Sequence, residues 1–204
     1  MHFCRMPCKP IQGLGKKVHC SVEQLQHSIQ QAMQQCALAV QSPTSQVLLL
    51  VQQAHEQFWQ KVSQLQLNSV PSAILESTQL KMNALQNAYG TVLFFEDLDE
   101  IKQFKKHKPL QAEQIEQWAA QSTGMVQLAV WATLANQGMG ASPQFYYSGD
   151  DQTRLLAELR QLLDIPVSWQ LKSQLVFGSL PKMIEQALEI ELEPIQTVTL
   201  FTQL

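Results

Sequence analysis

Charge is what this sequence has least of. Asp, Glu, Lys and Arg make up 15% of the 204 residues, where about a quarter is ordinary for a globular chain. Glutamine stands in for charge, with 32 residues. Apolar residues reach 45%, which excludes an acidic disordered chain. At this length such a chain builds a core without needing disulfides or a metal. A formal charge of -3 gives no drive toward nucleic acid. Long apolar runs are also missing. None is longer than five residues, as in VLLLV at 47–51, which has the length of a strand, far short of the roughly 18 residues that cross a bilayer. No charged start leads into an apolar signal core. The expectation is one cytoplasmic domain over 1–204 with no membrane or nucleic-acid partner.

Cysteine is scarce and confined to positions 4, 8, 20 and 36. Cys4 and Cys8 have a spacing zinc sites use, but beyond a weak set with His2 or His19 no second pair completes a tetrahedron. Free thiols in a reducing compartment, and no metal, are the reading. Catalytic signatures are missing too. GLGKK at 13–17 lacks the preceding strand, the spacing and the Ser/Thr of a phosphate loop. There is no nucleophile elbow and no His-Glu-x-x-His pair.

Residues 1–20 form a basic arm with Arg5, Lys9, Lys16 and Lys17, in which Pro7, Pro10, Gly13 and Gly15 prevent a long helix. Ser21 and Gln24 make a capping box for a helix to about residue 35. Its stripe runs from Val22 through Leu25 and Ile29 to Cys36. A loop at 41–46 leads to a buried strand at 47–51, then helices at 53–66 and 72–88. TVLFFED at 91–97 is the clearest central strand. Its adjacent Glu96 and Asp97 would point to opposite faces, which reads as solvation at a loop start. The run at 98–108, with Lys102, Lys105, Lys106 and Lys108, reads as solvated surface. A polar helix at 111–121 precedes a nearly all-round apolar one at 123–137, destined for a core or a subunit interface. Gly138 and Gly140 turn the chain. An extended segment at 142–147, a helix at 152–163, a strand at 167–177 closed by Gly178, and a helix at 181–193 follow. Residues 195–204 form a β-type segment with no partner that pattern alone names. This is an α+β chain, a sheet flanked by helices, with too few strands for a doubly wound fold.

Five blocks carry a resemblance: IQGLGKK at 11–17, AHEQFWQKV at 54–62, NAYGTVLFFED at 87–97, QSTGMVQLAVWATLANQGMGAS at 121–142 and IPVSWQLKSQLVFGS at 165–179. In this order they resemble the FMN-dependent nitroreductase family. The likeness is to the small branch that includes yeast fatty-acid-repression proteins and bacterial stress nitroreductases. The resemblance implies a central, mostly antiparallel sheet flanked by helices. It implies a homodimer with FMN at the subunit interface, and a C-terminal segment at 195–204 that embraces the partner. The implied activity is hydride transfer from NAD(P)H to a nitroaromatic, a quinone or a related small electrophile.

The resemblance implies cofactor contacts from Lys9, Gln12, Gln41, Asn83, Gln144, Phe145, Tyr146 and Tyr147. No side chain is required as a nucleophile, because the flavin carries the hydride. At the positions matching the family's phosphate cations stand Cys8, Pro10, Gln46, Gln86, Val198 and Leu200, leaving Lys9, with Lys16 or Lys17, as the nearby charge. Two functions follow from this mixture. One is a flavin oxidoreductase; the other is a homodimer that kept the scaffold, lost much of its hold on FMN, and binds a small molecule or regulates. His55 is expected to be structural or solvent-facing, and Trp118 and Trp131 to be packing residues.

Overall fold

The computed structural model describes residues 13–40, 44–146 and 149–180. Among these residues four strands, β1 (Ser45–Val51), β2 (Gly90–Asp97), β3 (Met139–Gln144) and β4 (Trp169–Ser179), form one sheet. Its order is β1-β2-β4-β3, and every neighbouring pair is antiparallel. β2 runs through the middle and is buried up to Glu96. Side chains alternate across a strand, so Leu93 and Phe95 face one core while Val92 and Phe94 face another.

Among the described residues are six α-helices, five of which cover the two faces. On the first lie α2 (Gln52–Ser69), α3 (Leu75–Gln86) and α6 (Gly149–Leu163). They bury Phe58, Trp59, Met82, Leu85 and Leu159 against Leu93, Phe95 and Val176. On the second lie α1 (Val22–Val40) and α5 (Ala112–Asn136), which pack Leu25, Ile29, Val130 and Leu134 on Val92, Phe94 and Phe177. α4 (Leu98–His107) joins the start of α5 through Ile101, Ile115 and Ala119. The capping box of α1 is present: Ser21 N–H donates to Gln24 Oε1 at 2.9 Å, and Gln24 N–H to Ser21 Oγ at 3.2 Å. α1 runs on past the expected end to Val40.

Several expectations change in physical detail. The helices expected at 111–121 and 123–137 are one 25-residue helix, α5. Thr123 is buried within it and satisfies its hydroxyl on the Ala119 carbonyl one turn back, at 3.1 Å. A Cβ on Gly124 would meet nothing, so that glycine marks no break. α5 is not buried all round in the single chain: Val126, Val130 and Leu134 are buried, but Met125 and Leu128 are exposed. The helix expected from 72 opens with a 3-10 turn, Ser72–Ile74, before α3.

Two glycines expected to terminate elements, Gly140 and Gly178, lie inside strands. Gly138, with φ of 76°, turns the chain, but Gly140 lies inside β3, opposite Gly178 in β4. β4 continues to Ser179, which pairs with Met139 of β3 and with the N-terminal segment. Gly15 N–H donates to Ser179 O and Ser179 N–H to Gly15 O, both at 3.0 Å. A Cβ on Gly178 would collide with the Gly15 carbonyl oxygen, so this close approach requires glycine.

The end of β2 is also more structured than a solvated loop start. Asp97 caps α4, accepting from the Asp99 and Glu100 amides and from Trp169 Nε1 at 3.1 Å. Glu96 is buried and pairs with Lys172 at 2.8 Å. Lys105 forms an ion pair with Glu116. Cys20 and Cys36 are free thiols, and burial raises the pKa of Cys36. Trp118 and Trp131 pack against the cores. The expected helix at 181–193 and segment at 195–204 lie outside the described residues.

Candidate flavin site

A cleft of about 400 Å³ opens between α3, the N-terminal segment and the edge strand β3. Helical spacing builds its first wall. Met82 and Leu85 turn one side of α3 into the core, while Ser77, Lys81 and Ala84, at i, i+4 and i+7, line the cleft. Leu80 lines it too and is 64% exposed. The second wall is Gly13 and the buried Leu14, held there by the Gly15–Ser179 pairing. The floor comes from the sheet. Ala141 points into the second core, so alternation turns Ser142 and Gln144 to the cleft, beside Val176 of β4. Pro143 fits an edge strand, where a missing N–H costs no ladder bond.

The floor is polar and buried. Gln144 Nε2 donates to Ser142 Oγ at 2.9 Å. Gln174, opposite Gln144 across the ladder, accepts from the Tyr146 N–H through Oε1 at 3.0 Å. Its Nε2 is buried with no hydrogen-bond partner among the described residues. Lys81 Nζ stands 5.0 Å from the centroid of the Tyr146 ring. That ring meets Trp59 edge-on, at 5.7 Å and 89°.

Behind Trp59 is a closed polar network. Trp59 Nε1 donates to Thr91 Oγ1 at 2.8 Å. His55 Nδ1 lies 2.8 Å from the same hydroxyl, and its Nε2 lies 3.2 Å from the Gln86 carbonyl oxygen. An indole N–H only donates and a carbonyl only accepts. The Thr91 hydroxyl therefore gives its proton to Nδ1, and the His55 proton sits on Nε2. Burial is the main influence that lowers the His55 pKa from 6.5 to about 4, against smaller raising effects led by the Gln86 carbonyl. His55 is neutral and structural, not solvent-facing.

Of the residues expected at the cofactor, Gln144 lines the cleft and Tyr146 stands beside it. Phe145, next to Tyr146, is exposed. Asn83 is exposed on α3 and accepts from Gln79 Nε2 at 2.9 Å; it does not line the cleft. Lys9, Gln12, Gln41 and Tyr147 lie outside the described residues, as do Cys8, Pro10, Val198 and Leu200. Lys16, considered as a phosphate cation, is paired with Glu56 at 2.6 Å. The Gln86 carbonyl is engaged by His55. Sequence reasoning missed Lys81, Ser77, Ser142 and Gln174. The Ser77–Lys81–Ala84 spacing was the available signal for the α3 wall. Among the described residues, no cluster of three His, Cys, Asp or Glu is arranged to hold a metal, and no helix is long and apolar enough to cross a membrane.

The nitroreductase family model matches residues 20–179, and the chain belongs to that family. It is 28% identical over 167 residues to the nitroreductase FRM2 of Saccharomyces cerevisiae, covering 82% of this chain and 77% of that one. The nitroreductase CinD from Lactococcus lactis, solved with nicotinic acid, superposes with a TM-score of 0.70 at 28% identity, over 94% of this chain and 91% of the other. A nitroreductase structure from Saccharomyces cerevisiae gives 0.69 at 25% identity, over 85% and 92%. The architecture described above is thus the nitroreductase-like α+β fold, and the family's chemistry is flavin-dependent oxidation and reduction.

The lining fits a flavin ring. A flat conjugated ring with carbonyl groups needs apolar cover and a few placed polar partners. Leu14, Leu80, Leu85 and Val176 provide the cover, and Ser142 and Gln144 the polar partners. The unpartnered Gln174 Nε2 is a further buried donor on the same sheet face.

Proposed function

We propose that this protein is an FMN-dependent oxidoreductase, working as a homodimer, that passes hydride from NAD(P)H to a nitroaromatic, quinone or related small electrophile. The observation that carries this reading is the cleft itself, an apolar slot with a buried amide–hydroxyl floor and an aromatic residue fixed at its rim. When bound, the flavin supplies the hydride chemistry. The chain's own residues cover and orient. Leu14 and Val176 exclude water, and Ser142 and Gln144 meet polar ring edges. Lys81 brings positive charge to a slot whose other lining residues, among those described, are uncharged. Phosphate contact is assigned to Lys9 of the arm.

Relatives support the size of the ligand. CinD structures hold nicotinic acid, chloramphenicol and 4-nitrophenol, small molecules that suit a cleft of about 400 Å³. The exposed Met125 and Leu128 on α5 are assigned to the dimer interface, since obligate interfaces are apolar.

One observation favours the second reading, a homodimer of reduced flavin affinity. Among the described residues Lys81 is the only cation lining the cleft, and Lys16 is already paired. The absorbance spectrum of the purified protein, followed by NAD(P)H oxidation with a nitroaromatic acceptor, tests the proposal. An oxidised-flavin spectrum with acceptor-dependent NAD(P)H consumption is expected. A colourless protein that stays inactive with added FMN contradicts it and leaves the second reading.

A further inference from the structure

We infer that the turn between α4 and α5 is a docking tip for an anionic phospholipid surface. Leu110 is the residue that enters the bilayer interface, and Lys102, Lys106 and Lys108 are its charges. The inference lies beyond the flavin reading and does not depend on it.

Charge is scarce in this chain but not here. Four of its 14 lysines and arginines fall within 102–108, and no Asp or Glu stands between Lys102 and Leu110. Lys105 is matched with Glu116, as Lys16, Lys61 and Lys172 are matched with glutamates elsewhere. Among the described residues Lys102, Lys106 and Lys108 have no such pair. Lys102 and Lys106 are exposed one turn apart on α4, and like charges at that spacing oppose a helix. The negative end of α4, about half a unit charge, does not neutralise three ammonium groups. Glu113 is the first carboxylate after the tip. Lys108 lies over the Phe104 ring at 4.8 Å, a contact that directs the side chain and keeps its charge.

The tip is also apolar, and it is held. Pro109 opens a 3-10 turn, Pro109–Gln111, that joins the two helices. Leu110 in this turn is 98% exposed, more than any other large hydrophobic residue among those described. Behind it Ile101, Ile115 and Ala119 pack α4 on α5, and the Lys105–Glu116 pair crosses between the helices. The leucine is therefore presented on a fixed support.

Composition selects the partner. Protein interfaces are depleted in lysine, and their hot spots under-represent leucine. Arginine is the residue of choice for nucleic-acid recognition, and the run has none. A bilayer interface takes lysines as point charges and an apolar side chain as an anchor. It requires neither a spanning helix nor a basic chain overall, the two features whose absence gave the expectation of no membrane partner.

The test is cosedimentation of the full-length protein with vesicles, at low and at high salt. One set is phosphatidylcholine alone; the other carries roughly 30 mol% phosphatidylserine to supply the anionic surface. The hold of three lysines and one leucine is weak and reversible, so lipid is supplied in excess. Binding is expected to be at least about tenfold stronger on the anionic vesicles at low salt, with the margin falling as salt rises. Lys102→Gln combined with Lys106→Gln is expected to weaken it about tenfold or more. Leu110→Ser is expected to weaken it about tenfold with the salt dependence kept. Leu110→Trp is expected to show blue-shifted emission on anionic vesicles that the wild type does not show. All these side chains are exposed, and unchanged circular dichroism checks that the variants fold. No binding, equal binding to both vesicles, or binding unchanged by the lysine pair or by Leu110→Ser overturns the inference. Polyglutamate and a DNA duplex are run in parallel. Capture of either through Lys102 and Lys106, with the vesicles left unbound, assigns the patch to another partner and the inference fails.

Discussion

At the scale of single residues, His55 gives the clearest pH signature. It is buried and neutral, with its proton on Nε2, and its pKa is about 4 in the fold against 6.5 ordinarily. The folded value lies below the unfolded one. As pH falls from 6.5, the unfolded chain takes up a proton that the folded chain refuses. This contribution to stability is full above about pH 6.5 and declines toward pH 4, by about 2 kcal/mol at pH 5 and about 3 kcal/mol in all. Denaturant melts of wild type at pH 7 and 5 should show that loss. His55→Asn, which has no imidazole to titrate, should show a smaller one, and an identical pH dependence in the two proteins contradicts the assignment. Thr91 carries the same network toward the cleft. Thr91→Val removes the acceptor of Trp59 Nε1 and the donor to His55, at about 1–3 kcal/mol for a buried group left unpaired. Near-ultraviolet circular dichroism of Trp59 and Tyr146, which touch edge-on, should report a loosened rim. An unchanged spectrum and stability would show that the network does not hold it.

At the scale of elements, the cleft depends on a short pairing outside the main ladders. Gly15 and Ser179 exchange two backbone hydrogen bonds, and this places Leu14 and Gly13 against α3. Gly178→Ala would push a Cβ into the Gly15 carbonyl. Overpacking against backbone costs about 1–3 kcal/mol, and the expected outcome is faster amide exchange at Gly15 and Ser179 than in the core of β2. Unchanged protection at both amides contradicts it.

Much of this level was legible in the chain. The capping box at Ser21, the apolar run of β2 and the order of helices and strands follow from local pattern. What local pattern missed is non-local. Gly140 looks like part of a turn until β3 is seen pairing with β4, and Gly178 looks like a strand end until a segment more than a hundred residues earlier in the chain is seen passing it. Ser122 and Thr123 look like a helix stop until Thr123 is seen to back-bond to Ala119. His55 has no sequence neighbour that announces burial, because its partner Thr91 is 36 positions away. Lys81 is not legible from the apolar stripe of α3 or from Asn83, because it lies on the face that carries Ser77 and Ala84.

At the scale of the whole molecule, two apolar surfaces have different fates. Leu134 on α5 is fully buried, so Leu134→Ala should cost about 2–5 kcal/mol. Leu128, two turns earlier, is 52% exposed, and Leu128→Glu should leave the fold of the chain intact while converting the proposed dimer to monomer in sedimentation. A variant that stays dimeric moves the interface elsewhere. The proposed cofactor poses the larger question, because the described scaffold is that of the nitroreductase family while the positions expected to match its phosphate cations hold Cys8, Pro10, Gln46, Gln86, Val198 and Leu200. The direct test is titration of FMN and of riboflavin into flavin-free protein, followed by flavin fluorescence. The account predicts saturable binding of one flavin per chain, with riboflavin within about tenfold of FMN, since a lost charged contact of roughly 1.5–3 kcal/mol each removes most of what the phosphate would add. No saturable binding of either flavin would contradict the flavin assignment, and FMN binding more than about a hundredfold tighter than riboflavin, a gap of about 2.8 kcal/mol, would show that an effective phosphate site exists.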